Sequence, residues 1–233
     1  MSWVEYDYPE PAALESALAE NLRAVLSEAL AARGRAVLAL AGGTTPLPIY
    51  RRLATAMLDW RGVTVLPTDE RCVPATHPAC NASALRAAFA AAPGIEVLPL
   101  TRADGDPDTA LTFALQQLAP VPEFDAVLLG MGNDAHTASL FPGAPQLRAA
   151  LAPEAPDALR VDPQPLPPEA PFPRITLSAA RLSRARVMHL AILGEDKRTA
   201  LRLAQDSNDP LAAPLASLLH DEAVRLHIHW SPR

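Results

Sequence analysis

Cysteine is nearly absent. Cys72 and Cys80 are the only two in 233 residues and no Cys-x-x-Cys pair occurs, so no disulfide framework holds this chain. Aromatics make up 5% and glycines number 10. No stretch approaches the roughly 20 apolar residues that span a bilayer. The start, MSWVEYDYPEP, has neither a basic leader nor an apolar run, and the expectation is a cytoplasmic protein. Positive charge is also short: the net charge of -6 disfavours nucleic acid and anionic membranes as partners. Any phosphate site must be built from a few local cations. What remains is 49% hydrophobic and 20% charged, a composition that buries one sizeable core without disulfides or a structural metal. One domain over 1–233, as a monomer or weak homo-oligomer, is the default.

Proline is the exception to this scarcity. There are 25, ten of them between Pro142 and Pro173. Proline lacks a backbone donor and fixes φ, so LAPEAPDALRVDPQPLPPEAPFPR reads as a long loop or lid with short helical pieces, not as regular helix or central strand.

The rest alternates. From Pro11 to Arg33, Leu14, Leu18, Leu22, Val25, Leu26 and Leu30 keep the spacing of a one-faced helix. RAVLALAG is a continuous apolar run of the kind found in a strand buried on both faces. A helix follows, with Thr44 or Thr45 as cap, Pro46 in its first turn and Leu47, Tyr50, Leu53 and Met57 in helical period. GVTVLP, the polar loop TDERCVPATHPA and a helix near Asn81 repeat the phrase. Further strands are expected at IEVLPL, FDAVLLG, RITLS, RVMHLAILG and VRLHIHW, the last starting at Val224, with helices near Asp108–Leu118, Glu195–Gln205 and Leu211–Leu219. Such alternation predicts an α/β fold, an open, mainly parallel sheet covered by helices on both faces. Ligands of such sheets bind beyond the carboxyl ends of the strands.

The loops at those ends hold the unusual polar residues. Gly42-Gly43-Thr44-Thr45-Pro46 offers close backbone approach, hydroxyls and amides to an anion. It lacks the P-loop lysine and the Gly-x-Gly-x-x-Gly spacing, which leaves a small phosphate ester or a plain tight turn. Asp69-Glu70-Arg71 is either a solvated turn or a site in which Asp69 orients Arg71 towards a carboxylate or phosphate. Asn81 adds a hydrogen bond there or caps its helix. GMGNDAHTASLFPG brings Gly132, Asp134 and His136 to the ligand edge. Lys197 opposes the helix dipole in a first turn, a mismatch that a bound anion would relieve. Arg174 is a second cation or an exposed flank.

Other candidates are weaker. His227 and His229, with His220 nearby, read as a surface strand and not as a metal site. Cys72 and Cys80 read as buried structural thiols. Ser139 lies outside any Gly-x-Ser-x-Gly elbow.

Taken in order, AGGTTPLPIYRRL, TDERCVPATHPACNASAL, FDAVLLGMGNDAHTASLFPG and RITLSAARLSRARVMHLAILGEDKR resemble the 6-phosphogluconolactonase family over Ala41–Arg198. The resemblance implies a Rossmann-like fold of the glucosamine-6-phosphate deaminase and ribose-5-phosphate isomerase type, with a small extra strand region. It also implies hydrolysis of a sugar-phosphate lactone, 6-phosphoglucono-δ-lactone, in the pentose phosphate pathway without cofactor or metal. Carried over, His136 matches the catalytic base, Asp69 and Arg71 the acid-arginine loop, Lys197 the helix-start lysine, Arg174 the arginine of Arg-Ile-Thr-Leu, and Gly43 with Thr44 the phosphate loop. The family usually reads Gly-Met-Gly-Pro-Asp-Gly-His; here Asn133 replaces proline and Ala135 replaces glycine, which strains the backbone if that position needs positive φ. Its Ser-Asn-Tyr is Cys80-Asn81-Ala82.

The implied chemistry is consistent with these residue types. A histidine, with an ordinary pKa of about 6.5, can deprotonate water near neutrality. Asp134 or Asp69 would hold its tautomer, Arg71 or loop amides the oxyanion, and Thr44, Lys197 and Arg174 the 6-phosphate. A glucosamine-6-phosphate deaminase or other sugar-phosphate isomerase is the alternative, although an aromatic after Asp-Glu and an Asn-Glu-Pro after the histidine are missing. A non-catalytic sugar-phosphate sensor is a third reading.

Overall fold

A computed structural model describes residues 3–163, 171–223 and 225–233. In chain order the elements are β1 (Trp3–Asp7), α1 (Pro11–Arg33), β2 (Ala36–Leu40), α2 (Leu47–Leu53), β3 (Val63–Pro67), β4 (Asp69–Arg71), α3 (Asn81–Ala88), β5 (Glu96–Val97), α4 (Pro107–Leu118), β6 (Ala126–Leu129), α5 (Leu147–Leu151), β7 (Ala158–Val161), β8 (Arg174–Leu177), α6 (Ala179–Ser183), β9 (Met188–Leu193), α7 (Glu195–Asp206), α8 (Ala216–Leu219) and β10 (Leu226–Ser231).

Seven strands form a parallel sheet in the order β1-β10-β9-β6-β2-β3-β5. Its continuous apolar strands follow from cover on both faces. Leu38 and Leu40 of β2 pack with Leu14, Leu18, Leu22 and Leu26 of α1, while Val37 and Ala39 join the opposite cluster with α4 and α7. Each fully buried leucine contributes roughly 1.5–3 kcal/mol of transfer free energy. The chain builds outward from β2 to β3 and β5, then returns to its other side with β6, so strand order reverses between β2 and β6. That reversal opens the crevice in which such sheets bind ligands.

A second sheet, β4-β8-β7, is antiparallel and pairs Asp69 with Thr176 and Arg71 with Arg174. Only Thr68 separates β3 from β4. Its amide donates to Leu40 of the large sheet (3.1 Å) and its carbonyl accepts from Leu177 of the small one (3.0 Å).

Several sequence expectations need correction. The acidic segment read as a polar loop is strand β4. Its charges tolerate burial because each has a partner. The proline-rich segment contains α5 and the edge strand β7, whose four residues ALRV hold no proline and pair on one side only; its residues 164–170 lie outside the described ones, as does Val224. Neither Thr44 nor Thr45 caps α2. Pro46 precedes it without a side-chain cap, and the helix stops at Leu53, leaving Met57 99% exposed. The helix expected over 211–219 is only α8, because Pro214 removes the amide that would bond one turn back. β5 is cut to two residues before Pro99, and β6 begins after Phe124, which makes an isolated bridge with Ala185. β1 carried no periodic signal and was not expected.

The histidines of β10 do not lie on a surface strand. His229 is fully buried and its Nε2 lies 3.1 Å from Nδ1 of buried His189, while Tyr8 Oη lies 2.9 Å from His229 Nδ1. Burial, then neighbouring histidines, lowers His189 to about 3 and His229 to about 4. His220 stands apart, against Ser207 and Trp3. Among the described residues no group of three or more His, Cys, Asp or Glu is placed to hold a metal ion, and no helix is long and apolar enough to cross a membrane.

Candidate active site

A cleft of about 300 Å³ lies over the carboxyl ends of β2, β3, β6 and β9. Gly42, Gly43, Thr44, Asp69, Arg71, Asn81, Gly132, His136, Arg174 and Lys197 all line it. The structure thus gathers candidates from five separate stretches of sequence. Asp134 stands behind the wall, on His136.

The segment after β6 is folded by its own backbone. Gly132 donates to the His136 carbonyl (2.9 Å), Ala135 to that of Gly132 (3.1 Å), and Leu215 to that of Ala135 (3.1 Å). His136 Nδ1 donates to Asp134 Oδ1 at 2.5 Å, which leaves Nε2 with the lone pair. Burial works against the Asp134 carboxylate, but the hydrogen bond and charge of His136 outweigh it and hold its pKa below the usual value. Gly132 is glycine because of this pair: a methyl there would sit 2.2 Å from His136 Nδ1 and 2.6 Å from Asp134 Oδ1. Ala135 holds φ at 61° and Ala138 at 48°, so the position where the family usually has glycine does need left-handed backbone.

Facing this wall, Asp69 is buried. Its Oδ2 accepts from Ser139 Oγ at 2.5 Å and lies 3.9 Å from Arg174 Nη1. The cation beside Asp69 is therefore Arg174, correcting the expectation that Asp69 orients Arg71; Arg71 Nη1 donates instead to the Ala79 carbonyl at 2.9 Å. Arg174 is no exposed flank. Only 4% exposed, it starts the central strand of the small sheet and stacks over Phe141, its Cζ 5.1 Å from the ring centroid.

Asn81 is the first residue of α3, not its cap. Its Nδ2 donates to the Asp69 carbonyl (2.7 Å), and it presses so close to Gly42 that a methyl there would meet Oδ1 at 2.1 Å. The helix amides are held by Glu70, whose carboxylate accepts from Arg71 (2.8 Å), Asn81 (2.8 Å) and Ala82 (2.7 Å). Burial raises the Glu70 pKa and these three amides only partly offset it. Lys197 sits in the first turn of α7 as expected, its pKa lowered by burial and then by Arg233.

Sequence reasoning missed Glu70, Ser139 and Phe141, which support the cleft from behind. Their partners lie from one to seventy residues away in sequence, and no local pattern announces the distant ones. Both thiols are buried, Cys72 pushed up to about 11 by burial, as structural cysteines should be.

The family described as glucosamine-6-phosphate isomerases/6-phosphogluconolactonase matches residues 9–228. A 6-phosphogluconolactonase of Pseudomonas putida is 37% identical over 221 residues, covering 94% of this chain and 89% of its own. This chain belongs to the 6-phosphogluconolactonase family. Another of that name, from Rhizobium meliloti, is 36% identical over 97% of both chains. The crystal structure of a 6-phosphogluconolactonase from Shewanella baltica superposes with a TM-score of 0.91 at 33% identity, covering 98% of this chain and 97% of the other. The 6-phosphogluconolactonase family fold is thus an α/β one, with a seven-stranded parallel sheet and a small antiparallel sheet, and this chain has it.

Proposed function

We propose that this chain hydrolyses 6-phospho-D-glucono-1,5-lactone to 6-phospho-D-gluconate, with His136 as general base. Its enzyme class is the carboxylic ester hydrolase class of its full-length relatives, EC 3.1.1.31, in the pentose phosphate pathway. The observation that carries the mechanism is the His136–Asp134 pair at 2.5 Å with His136 lining a cleft that also contains Lys197, Arg71 and Arg174.

The lactone carbonyl is already electrophilic, so the reaction needs an aligned water, a base and a place for negative charge. Nδ1 is tied to Asp134, and Nε2 takes a proton from water as the oxygen attacks C1. Arg71 or loop amides hold the oxyanion. As the tetrahedral intermediate collapses, the bond from C1 to the ring oxygen breaks and the imidazolium returns its proton to that oxygen, giving the open-chain acid. Thr44, Gly43, Lys197 and Arg174 bind the 6-phosphate and set C1 against the base. Asp69, tied to Ser139 and Arg174, orders the cation and does not itself contact His136. The substrate is small and anionic, which fits local cations on a net acidic protein. We place the enzyme in the cytoplasm, as a monomer or weak homo-oligomer.

The test is a lactonase assay on 6-phosphogluconolactone, with the spontaneous opening measured in a blank. An enzyme rate well above the blank is expected. A rate equal to the blank at high concentration of folded protein removes the proposal.

A further inference from the structure

We propose that Phe141 is a positioning residue for this reaction: a single aromatic ring that fixes the base and the phosphate-binding arginine together. The proposal rests on the reading of His136 as base and of Arg174 as a phosphate ligand. The His136 and Phe141 rings lie 4.5 Å apart between centroids, tilted by 38°. The Arg174 guanidinium carbon lies 5.1 Å from the same centroid. These two groups come from different sheets, His136 from the loop after the large sheet and Arg174 from the first residue of β8. Phe141 touches both.

The ring is well placed to do this. It is buried, its carbonyl closes a turn by accepting from Ala144 at 3.2 Å, and Pro142 stiffens the chain just after it. The face of an aromatic ring carries negative quadrupole density, so it attracts a guanidinium and an imidazolium alike while excluding water. Arginine is long and rich in rotamers. Contacts of different kinds bear on its aim, the Asp69 carboxylate and the Phe141 ring among them. Asp69 neutralises the cation, whereas the ring relates it to the base. Phe141 does not line the cleft, and so it acts only through His136 and Arg174.

A base displaced by about 1 Å costs on the order of 100-fold in rate, so loss of the ring should be visible in kcat, and loss of the arginine's aim in KM. The experiment compares Phe141→Met, which keeps bulk without a π face, with Phe141→Tyr, which keeps the face. Blank-corrected kcat and KM on 6-phosphogluconolactone and the thermal midpoint are measured for each. Phe141→Met should lower kcat about tenfold or more and raise KM several-fold, and Phe141→Tyr should recover most of both.

Double variants decide whether the effect runs through the two neighbours. Adding Phe141→Met to His136→Asn should leave the residual kcat unchanged, and adding it to Arg174→Ala should leave KM unchanged. A lower thermal midpoint with kcat and KM intact in Phe141→Met overturns the proposal, as do effects that multiply in full in the double variants. Near-normal turnover in His136→Asn alone is a different result: it removes the base assignment, and this proposal with it.

Discussion

Oδ1 of Asp134 lies 2.5 Å from Nδ1 of His136 across one intervening residue, Ala135, whose φ of 61° bends the loop enough for the two side chains to meet. Alanine tolerates this backbone at a cost of roughly 1 kcal/mol, and a β-branched residue tolerates it far less. Ala135→Gly should therefore stay within about 1 kcal/mol of wild type, since relief of strain is offset by the greater freedom of the unfolded chain. Ala135→Val should lose stability and turnover together. Thermal midpoints and kcat measured on the same samples check both, and a Val variant as active as wild type would show that the bend is not needed.

His136→Asn keeps size and some hydrogen bonding but cannot take the water proton. Turnover should fall about 100- to 10,000-fold, with the thermal midpoint and 6-phosphogluconate affinity retained. If activity and folding are lost together, the histidine is structural.

Gly132→Ala places a methyl where His136 Nδ1 and Asp134 Oδ1 already are. The pair must move apart, and kcat should fall by about 100-fold or more, as for a displaced base. Comparing kcat with product affinity separates a misaligned base from a blocked cleft, because a methyl that merely obstructs the site weakens binding as well.

Lys197→Ala and Arg174→Ala should both weaken 6-phosphogluconate relative to gluconate, and wild-type affinity should fall with added salt. Their stabilities should differ. Arg174 is buried against Asp69, so its removal leaves a carboxylate with less compensation and should lower the thermal midpoint, whereas Lys197→Ala should not. A titration with gluconate as control decides the first claim and a melt the second.

His189 and His229 make acid stability predictable. Their folded pKa values, about 3 and about 4, lie below the ordinary histidine value of about 6.5. The unfolded chain therefore binds protons that the fold refuses. Their contribution is complete above the unfolded value and is lost as pH falls from there towards 4, by up to about 1.4 kcal/mol per pH unit for each histidine. Denaturant titrations from pH 7.5 to 4.5 should show this slope, and His189→Gln should flatten it. An equal slope in the variant would assign the acid sensitivity to other groups.

Much of this architecture was legible in the sequence. The 23-residue helix α1 was read with its full span because its leucines all face one way, and β2, β3, β6 and β9 because a strand covered on both faces leaves a continuous apolar run. The cleft was legible because glycines, charges and a histidine collect after those strands. What escaped depends on partners distant in sequence. β4 reads as a surface turn until Glu70 finds the amides of α3 and Asp69 finds Ser139. Buried His229 reads as polar surface until Tyr8 and His189 satisfy it. β7 hid among prolines because an edge strand of four residues carries little period.

Thr68 is the single residue between β3 of the large sheet and β4 of the small one, and this leaves the chain no slack at the cleft. Side chains alternate along a strand, so one residue inserted between Thr68 and Asp69 would turn β4 over: Asp69 and Arg71 would leave the cleft and Glu70 would enter it in their place, abandoning the amides of α3. Insertions elsewhere on the rim change the shape of the opening. At this junction they exchange the chemistry of one wall, so tolerance of added length should be lowest there, although the segment was first legible only as a polar connection.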